Sequence, residues 1–319
     1  MYELLLYRGE SFDPNFYYQS GLDIDHAFLL LKRNEKILFV PRLNEEFAKT
    51  HFDGHVEVYQ NPFEVLKKYL RGKTISVDSS SLTHALSKRL KSFCKIEDAS
   101  SKLAAMRLVK KEKEIKKITR AVSITKKILS ALDFSKMKTE LDVKRYLLQK
   151  TLEYNCEAAF EPIVATDTNS RFPHYRSGNV KLGDMVLIDY GVKYEHYCAD
   201  LTRCFFIGNS KINREREDKY ESLKEITKTI VSSLPKLKTG KTVAKLSVQL
   251  LKENGFPPLI HAIGHGIGLE VHEAPRLGLL SKNKIAGSAL AIEPAAYFKD
   301  YGLRFEETVY FDGKKGRIL

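Results

Sequence analysis

Four acidic residues lie inside short apolar runs, and a fold can bury a carboxylate there only if it supplies a partner. Met185-Val-Leu-Ile-Asp-Tyr-Gly191 holds Asp189, and Tyr197-Cys-Ala-Asp-Leu-Thr-Arg-Cys-Phe-Phe-Ile207 holds Asp200. The polar, turn-like segment 192–196 makes the two runs read as a hairpin. With the turn centred on Tyr194 and Glu195, Asp189 stands directly opposite Asp200, with Cβ atoms ~5 Å apart. Further along, Leu290-Ala-Ile-Glu293-Pro and Gly302-Leu-Arg-Phe-Glu306-Glu-Thr-Val-Tyr310 flank a turn at Lys299-Asp300, and Glu293 falls opposite Glu306. Like charges so placed destabilise a fold unless a cation sits between them. A metal site accounts for both pairs.

Between the pairs lie His261, His265 and His272, three of the nine histidines. Gly264, Gly266 and Gly268 disfavour a helix and allow close backbone approach, so this is not the His-Glu-x-x-His helix of zinc peptidases. One imidazole with four carboxylates makes a dinuclear, oxygen-rich site, which suits Mn²⁺ or a similar ion better than thiolate-rich structural zinc. His174, in Phe172-Pro-His-Tyr175, precedes the first acidic strand.

The rest of the chain frames these motifs. The first hundred residues read as mixed α/β. Strands are expected at 27–31, 36–40 and 73–78, and helices at 43–51, 62–71 and 82–93. From Arg107 the apolar residues Ile115, Ile118, Val122, Ile128, Leu129 and Leu132 describe one long amphipathic helix. Thr139-Glu-Leu-Asp142 opens a second helix. Further helices are expected at 213–234 and 243–254, with Gly255 closing the last. The domain boundary is placed near 105, giving domains 1–105 and 106–319. No internal repeat is evident.

The formal net charge of +13 invites a nucleic-acid reading. Nine of those charges fall in 106–150, on two helices without interleaved aromatics, so the excess reads as a solvated surface. The four cysteines form no Cys-x-x-Cys pair and read as reduced thiols. No run reaches ~18 apolar residues, and the acidic, briefly apolar start is no secretory signal. A cytoplasmic protein without membrane contact is expected.

Taken in order, Leu187-Ile-Asp-Tyr-Gly191, Asp200-Leu-Thr-Arg203, Gly264-His-Gly-Ile-Gly-Leu-Glu-Val-His-Glu273, Ile292-Glu-Pro294 and Arg304-Phe-Glu306 resemble the pita-bread metallopeptidases. Within them, the chain is similar to the prolidase and aminopeptidase P group. The likeness is strong from about 107 to 311 and loose before that. It implies an α+β chain: a small α/β N-terminal domain followed by a pita-bread catalytic domain. It also implies two divalent metal ions, Mn²⁺ or Co²⁺ favoured and Zn²⁺ possible. Asp189 would chelate one ion, Asp200 and Glu306 would bridge both, and His265 and Glu293 would hold the second. Glu293 would double as general base. His174 and His272 would contact substrate and stabilise the oxyanion, with His261 beside them. Arg304 would orient an acidic ligand, Thr202 would support the ligands, and Arg276 would lie near the substrate carboxylate.

The implied reaction is hydrolysis of the bond before proline by a metal-bridging hydroxide, in a dipeptidase or an aminopeptidase working as a homodimer. Asp167 and Ala295 stand where the group commonly has glycine, both expected at the substrate cleft. Three other readings compete. A methionine aminopeptidase shares the Gly-His-Gly-Ile-Gly stretch but has an amide where Arg304 stands. A non-catalytic pita-bread binding module loses ligands that are all present here. A creatinase-like hydrolase works without metal.

Overall fold

The computed structural model describes residues 3–207 and 210–319. The chain divides into two compact units, Met1–Arg107 and Leu108–Leu319. Among the described residues no helix is long and apolar enough to cross a membrane, and all four cysteines are free and buried.

The first unit is built on strands β1 (Leu4–Arg8), β2 (Ala27–Leu31), β3 (Lys36–Pro41), β4 (His55–Tyr59), β5 (Thr74–Val77) and β6 (Lys95–Asp98). They form one sheet in the order β4-β3-β2-β1-β5-β6. The sequence alternates by face, as a sheet covered on both sides requires. Leu4, Leu6, Leu29, Leu38 and Val40 pack with helices α1 (Pro14–Ser20) and α2 (Glu45–His51). Leu5, Phe28, Leu30, Ile37 and Phe39 pack on the other face with α3 (Pro62–Leu70) and α4 (His84–Lys91). Asp13, Asn61 and Thr83 cap α1, α3 and α4 through their side-chain oxygens. The long helix expected after Arg107 is α6 (Glu112–Ser130), which begins afresh after α5 (Ser100–Leu108) has ended. The Glu114 carboxylate accepts a hydrogen bond from the Lys111 N–H, which caps a new start.

In the second unit α6 buries Ile115, Ile118, Val122, Ile128 and Leu129, and α7 (Glu140–Glu153) follows. A second helix pair, α8 (Lys211–Ser233) and α9 (Gly240–Glu253), repeats this arrangement. The repeat is plainer in the backbone than in the side chains. Thr139 and Thr239 each cap a 14-residue helix. They form isolated bridges to Lys181 and Lys284, and Asn155 and Gly255 follow the two helices with φ of 52° and 72°.

The strands of this unit are β7 (Glu157–Ala158), β8 (Ile163–Thr166), β9 (Met185–Tyr190), β10 (Val192–Tyr194), β11 (Tyr197–Cys198), β12 (Leu201–Phe206), β13 (Gly264–Gly266), β14 (Glu273–Leu277), β15 (Ser288–Ile292), β16 (Ala295–Tyr297), β17 (Gly302–Arg304), β18 (Glu307–Phe311) and β19 (Gly316–Ile318). The first acidic hairpin has a different register from the one expected. Asp189 faces Thr202, not Asp200, and Tyr194 faces Tyr197. The turn is centred on Glu195 and His196, both at positive φ (46° and 68°), as a two-residue hairpin turn demands. The slip is two residues, and side chains alternate with period two, so both aspartates keep one face. Continuing the register sets Asp200 against Gly191, where a Cβ would lie 1.8 Å from the Ala199 carbonyl oxygen.

On the second hairpin Ala295 faces Arg304 in β16/β17, and Ile292 faces Glu307 in β15/β18. Both ladders keep the register that sets Glu293 against Glu306, although Pro294 interrupts the strand between them.

Candidate active site

The two hairpins and β13 bring Asp200, His265 and Glu306 together: one ligand atom of each lies within 4.8 Å of the others. All three residues are buried. His265 owes its place to its neighbours, because a Cβ on Gly264 would meet the Ala291 oxygen at 2.0 Å and one on Gly266 the Ala274 oxygen at 2.2 Å. Only glycines there let β14 and β15 close on β13. The Nδ1–H of His265 donates to the Gly266 carbonyl (3.1 Å), leaving Nε2 facing Asp200 Oδ2 at 3.6 Å and Glu293 Oε1 at 3.8 Å.

The other expected residues surround this core. Arg304 Nη2 donates to Asp189 Oδ2 at 2.5 Å, and its Nε donates to Thr202 Oγ1 at 2.9 Å. Thr202 donates in turn to Glu306 Oε2 at 2.7 Å. His261 lies 3.8 Å from Glu293, the His272 ring is 4.3 Å from that of His265, and His174 and Arg276 line the same cleft of about 720 Å³. Asp167 and Ala295 are not among the described residues lining it. Asp167, at φ 38°, accepts backbone N–H groups of Asp184 and Met185 and pairs with Arg216. That explains why a position suited to glycine tolerates an aspartate.

Sequence reasoning passed over Tyr297. Its hydroxyl accepts from Arg304 Nη1 (3.2 Å) and meets His261 Nε2 (2.9 Å), and the two-residue steps from Glu293 were the available signal. It also passed over Lys110, whose ammonium and the Glu273 carboxylate pair at 3.0 Å with side chains 1% and 3% exposed. Gly268 lies over both groups.

The electrostatics of the cluster follow from burial and from crowding of like charges. Burial, then Glu306 and the other acids, pushes the Asp200 carboxyl well above the carboxylate range. Burial and Glu293 do the same to Glu306. Burial raises Glu293 to about 7. Burial also holds His265 and His261 down at about 4, so both rings are neutral at pH 7. The Oδ1 atoms of Asp189 and Asp200 are buried without a hydrogen-bond partner among the described residues. Unpartnered oxygens, crowded carboxylates and a neutral imidazole with its lone pair free form a donor set that fits divalent cations.

Residues 116–312 match the metallopeptidase family M24. The chain belongs to metallopeptidase family M24. In this M24 chain residues 6–109 match the creatinase/prolidase N-terminal domain, and the catalytic part has the pita-bread architecture. The chain is 31% identical over 312 residues to the Xaa-Pro dipeptidase of Pyrococcus horikoshii, covering 93% of this chain and 87% of that protein. A solved X-Pro aminopeptidase from Thermotoga maritima matches with TM-score 0.89 at 26% identity, covering 100% of this chain and 95% of that one. The solved prolidase of Pyrococcus horikoshii matches with TM-score 0.89 at 29% identity, covering 100% and 93%. Family membership makes this M24 chain a metallopeptidase dependent on divalent metal.

Proposed function

We propose that the chain is an Xaa-Pro exopeptidase that removes one residue from the amino end of peptides whose second residue is proline. The cluster of Asp200, His265 and Glu306 at the foot of the cleft carries this reading, supported by the dipeptidase and aminopeptidase named above. Asp189, Asp200, His265, Glu293 and Glu306 would hold two ions, Mn²⁺ or Co²⁺ before Zn²⁺. Two such ions, when bound, polarise the scissile carbonyl and make a water acidic enough to lose its proton near neutral pH.

The chain's own residues do the rest. Glu293, raised to about 7 by burial, is poised both to take a proton and to return it to the leaving nitrogen. Imidazole N–H groups of His272 and His174 donate to the oxyanion that develops on the substrate carbonyl. His261 walls the substrate pocket with Tyr297 bonded to it, and Arg304, bonded to Asp189 and Thr202, fixes two ligand-bearing strands relative to each other. Arg276 meets substrate carboxylate. We further assign residues 1–105 and 106–319 as separate domains of a cytoplasmic homodimer.

The test is hydrolysis of Ala-Pro, Ala-Pro-Ala and Met-Ala-Ala by chelated protein reconstituted with Mn²⁺, Co²⁺ or Zn²⁺. Cleavage of the two proline peptides is expected. Cleavage of Met-Ala-Ala alone would replace the reading with a methionine aminopeptidase, and metal-independent cleavage would remove the two-ion mechanism.

A further inference from the structure

A second cavity, about 810 Å³, adjoins the cleft and shares His261, Ala262 and Arg276 with it. Its far wall is Val248 of α9 and the loop carrying Leu279 and Leu280. These side chains are apolar and exposed: Val248 46%, Leu279 52% and Leu280 93%. A contiguous exposed apolar surface beside a reaction centre marks a binding site.

Resting on the reading above, we propose that this groove binds the part of the peptide that leaves, and that the enzyme favours peptides with apolar residues after the proline over dipeptides. Three observations commit the groove to that occupant. It is continuous with the cleft through three shared residues. The cation at the junction is Arg276, which attracts a peptide's carboxyl end and repels its amino end. The groove lining continues in unbroken sequence from Arg276 through Leu277 and Gly278 to Leu279 and Leu280, so chain running on past Arg276 enters it. An extended residue spans ~3.4 Å, and a cavity of this size suits two or three residues.

The experiment compares kcat/KM for Ala-Pro, Ala-Pro-Leu-Leu and Ala-Pro-Asp-Asp, and inhibition by the products Pro and Pro-Leu-Leu, in the Mn²⁺-loaded protein and its Val248→Asp variant. Burying one leucine is worth about tenfold to a hundredfold in affinity. Ala-Pro-Leu-Leu is expected to exceed Ala-Pro-Asp-Asp by at least about tenfold, with Pro-Leu-Leu inhibiting more tightly than Pro by a similar factor. Val248→Asp is expected to collapse both ratios. A Leu/Asp ratio near one, with Ala-Pro still cleaved, overturns the groove and leaves the Xaa-Pro reading standing. Failure to cleave any proline peptide overturns that reading and the groove with it. If Val248→Asp dissociates a dimer in sedimentation without moving the ratios, the groove belongs to a second copy of the chain and the inference falls.

Discussion

The two helix-and-strand halves of the catalytic unit do the same job with different chemistry. In each, a threonine-capped 14-residue helix is bridged to a loop that precedes or follows ligand-bearing strands. The first half delivers Asp189, Asp200 and Thr202; the second delivers His265, Glu293 and Glu306. At the first position of the helix they part. Glu140 is fully buried, and its carboxylate accepts hydrogen bonds from Thr166 N, Asn169 Nδ2 and Gly178 N. The matching residue is Gly240, where a Cβ would lie 2.1 Å from the Arg276 oxygen. One loop is stitched down by a charge, and the other is admitted by the lack of a side chain. The loop beyond Gly240 keeps Leu279 and Leu280 exposed, and the apolar groove lies there.

The largest expected effect separates the halves by ligand. Asp200→Asn is expected to cut hydrolysis by more than about a hundredfold, beyond what substitutions behind a ligand usually cost. The same change takes one acid out of a crowded buried cluster, so the metal-free protein is expected to melt about 2–4 °C higher. Calorimetry of the chelated variant checks this; a lower melting temperature would mean that the carboxylate is structural.

Next come the two helix starts. Glu140→Ala strands three donors and is expected to cost about 3 kcal/mol or more. Gly240→Ala is expected to cost about 1–3 kcal/mol from overlap and also to raise KM, because it displaces Arg276. Urea denaturation and steady-state kinetics separate them. Equal KM effects would break the contrast.

A pH series tests the donors jointly. Asp200, Glu293 and Glu306 bind protons more tightly folded than unfolded, so they add stability at low pH that is lost as pH rises through their raised values. His261 and His265, held down at about 4 against an ordinary 6.5, work in the opposite sense, and their gain is complete above about 6.5. From there upward the carboxylates lower stability as pH rises, joined by the buried cysteines towards pH 8.5. The chelated protein is expected to lose melting temperature between pH 6.5 and 8.5, and Mn²⁺ is expected to restore it. A flat chelated profile would contradict the carboxylate cluster.

The smallest effect tests the likeness itself. Thr139→Ala and Thr239→Ala each remove a cap and are expected to cost about 1 kcal/mol, with equal costs showing that the helix starts are equivalent.

Much of this was legible in the sequence. The unbroken apolar runs within 27–31 and 36–40 read as adjacent strands, and they pair, because burial on two faces leaves no polar position in the run. The acids at 189, 200, 293 and 306 stood out for the opposite reason, being the polar exceptions in apolar runs. What stayed hidden was set by the backbone. A turn through Glu195 and His196 carries none of the Asn-Gly signal that normally marks positive φ, so the register was read two residues off. The repeat was hidden because Glu140 and Gly240 share a position and no chemistry. Lys110 and Glu273 are 163 positions apart, and only folding makes them a pair.

The turn at Glu195 and His196 also has a consequence in time. A hairpin closes in about 1–10 μs once its turn is set. Asp189 and Asp200 are therefore placed on one face by a local event that needs nothing from the rest of the chain. Glu293 and Glu306 are set facing each other by a second local hairpin, but bringing the two hairpins together depends on contacts across more than sixty positions, which form later and more slowly. The donor set is thus assembled in two instalments, and the earlier one depends on a two-residue turn that touches no ligand.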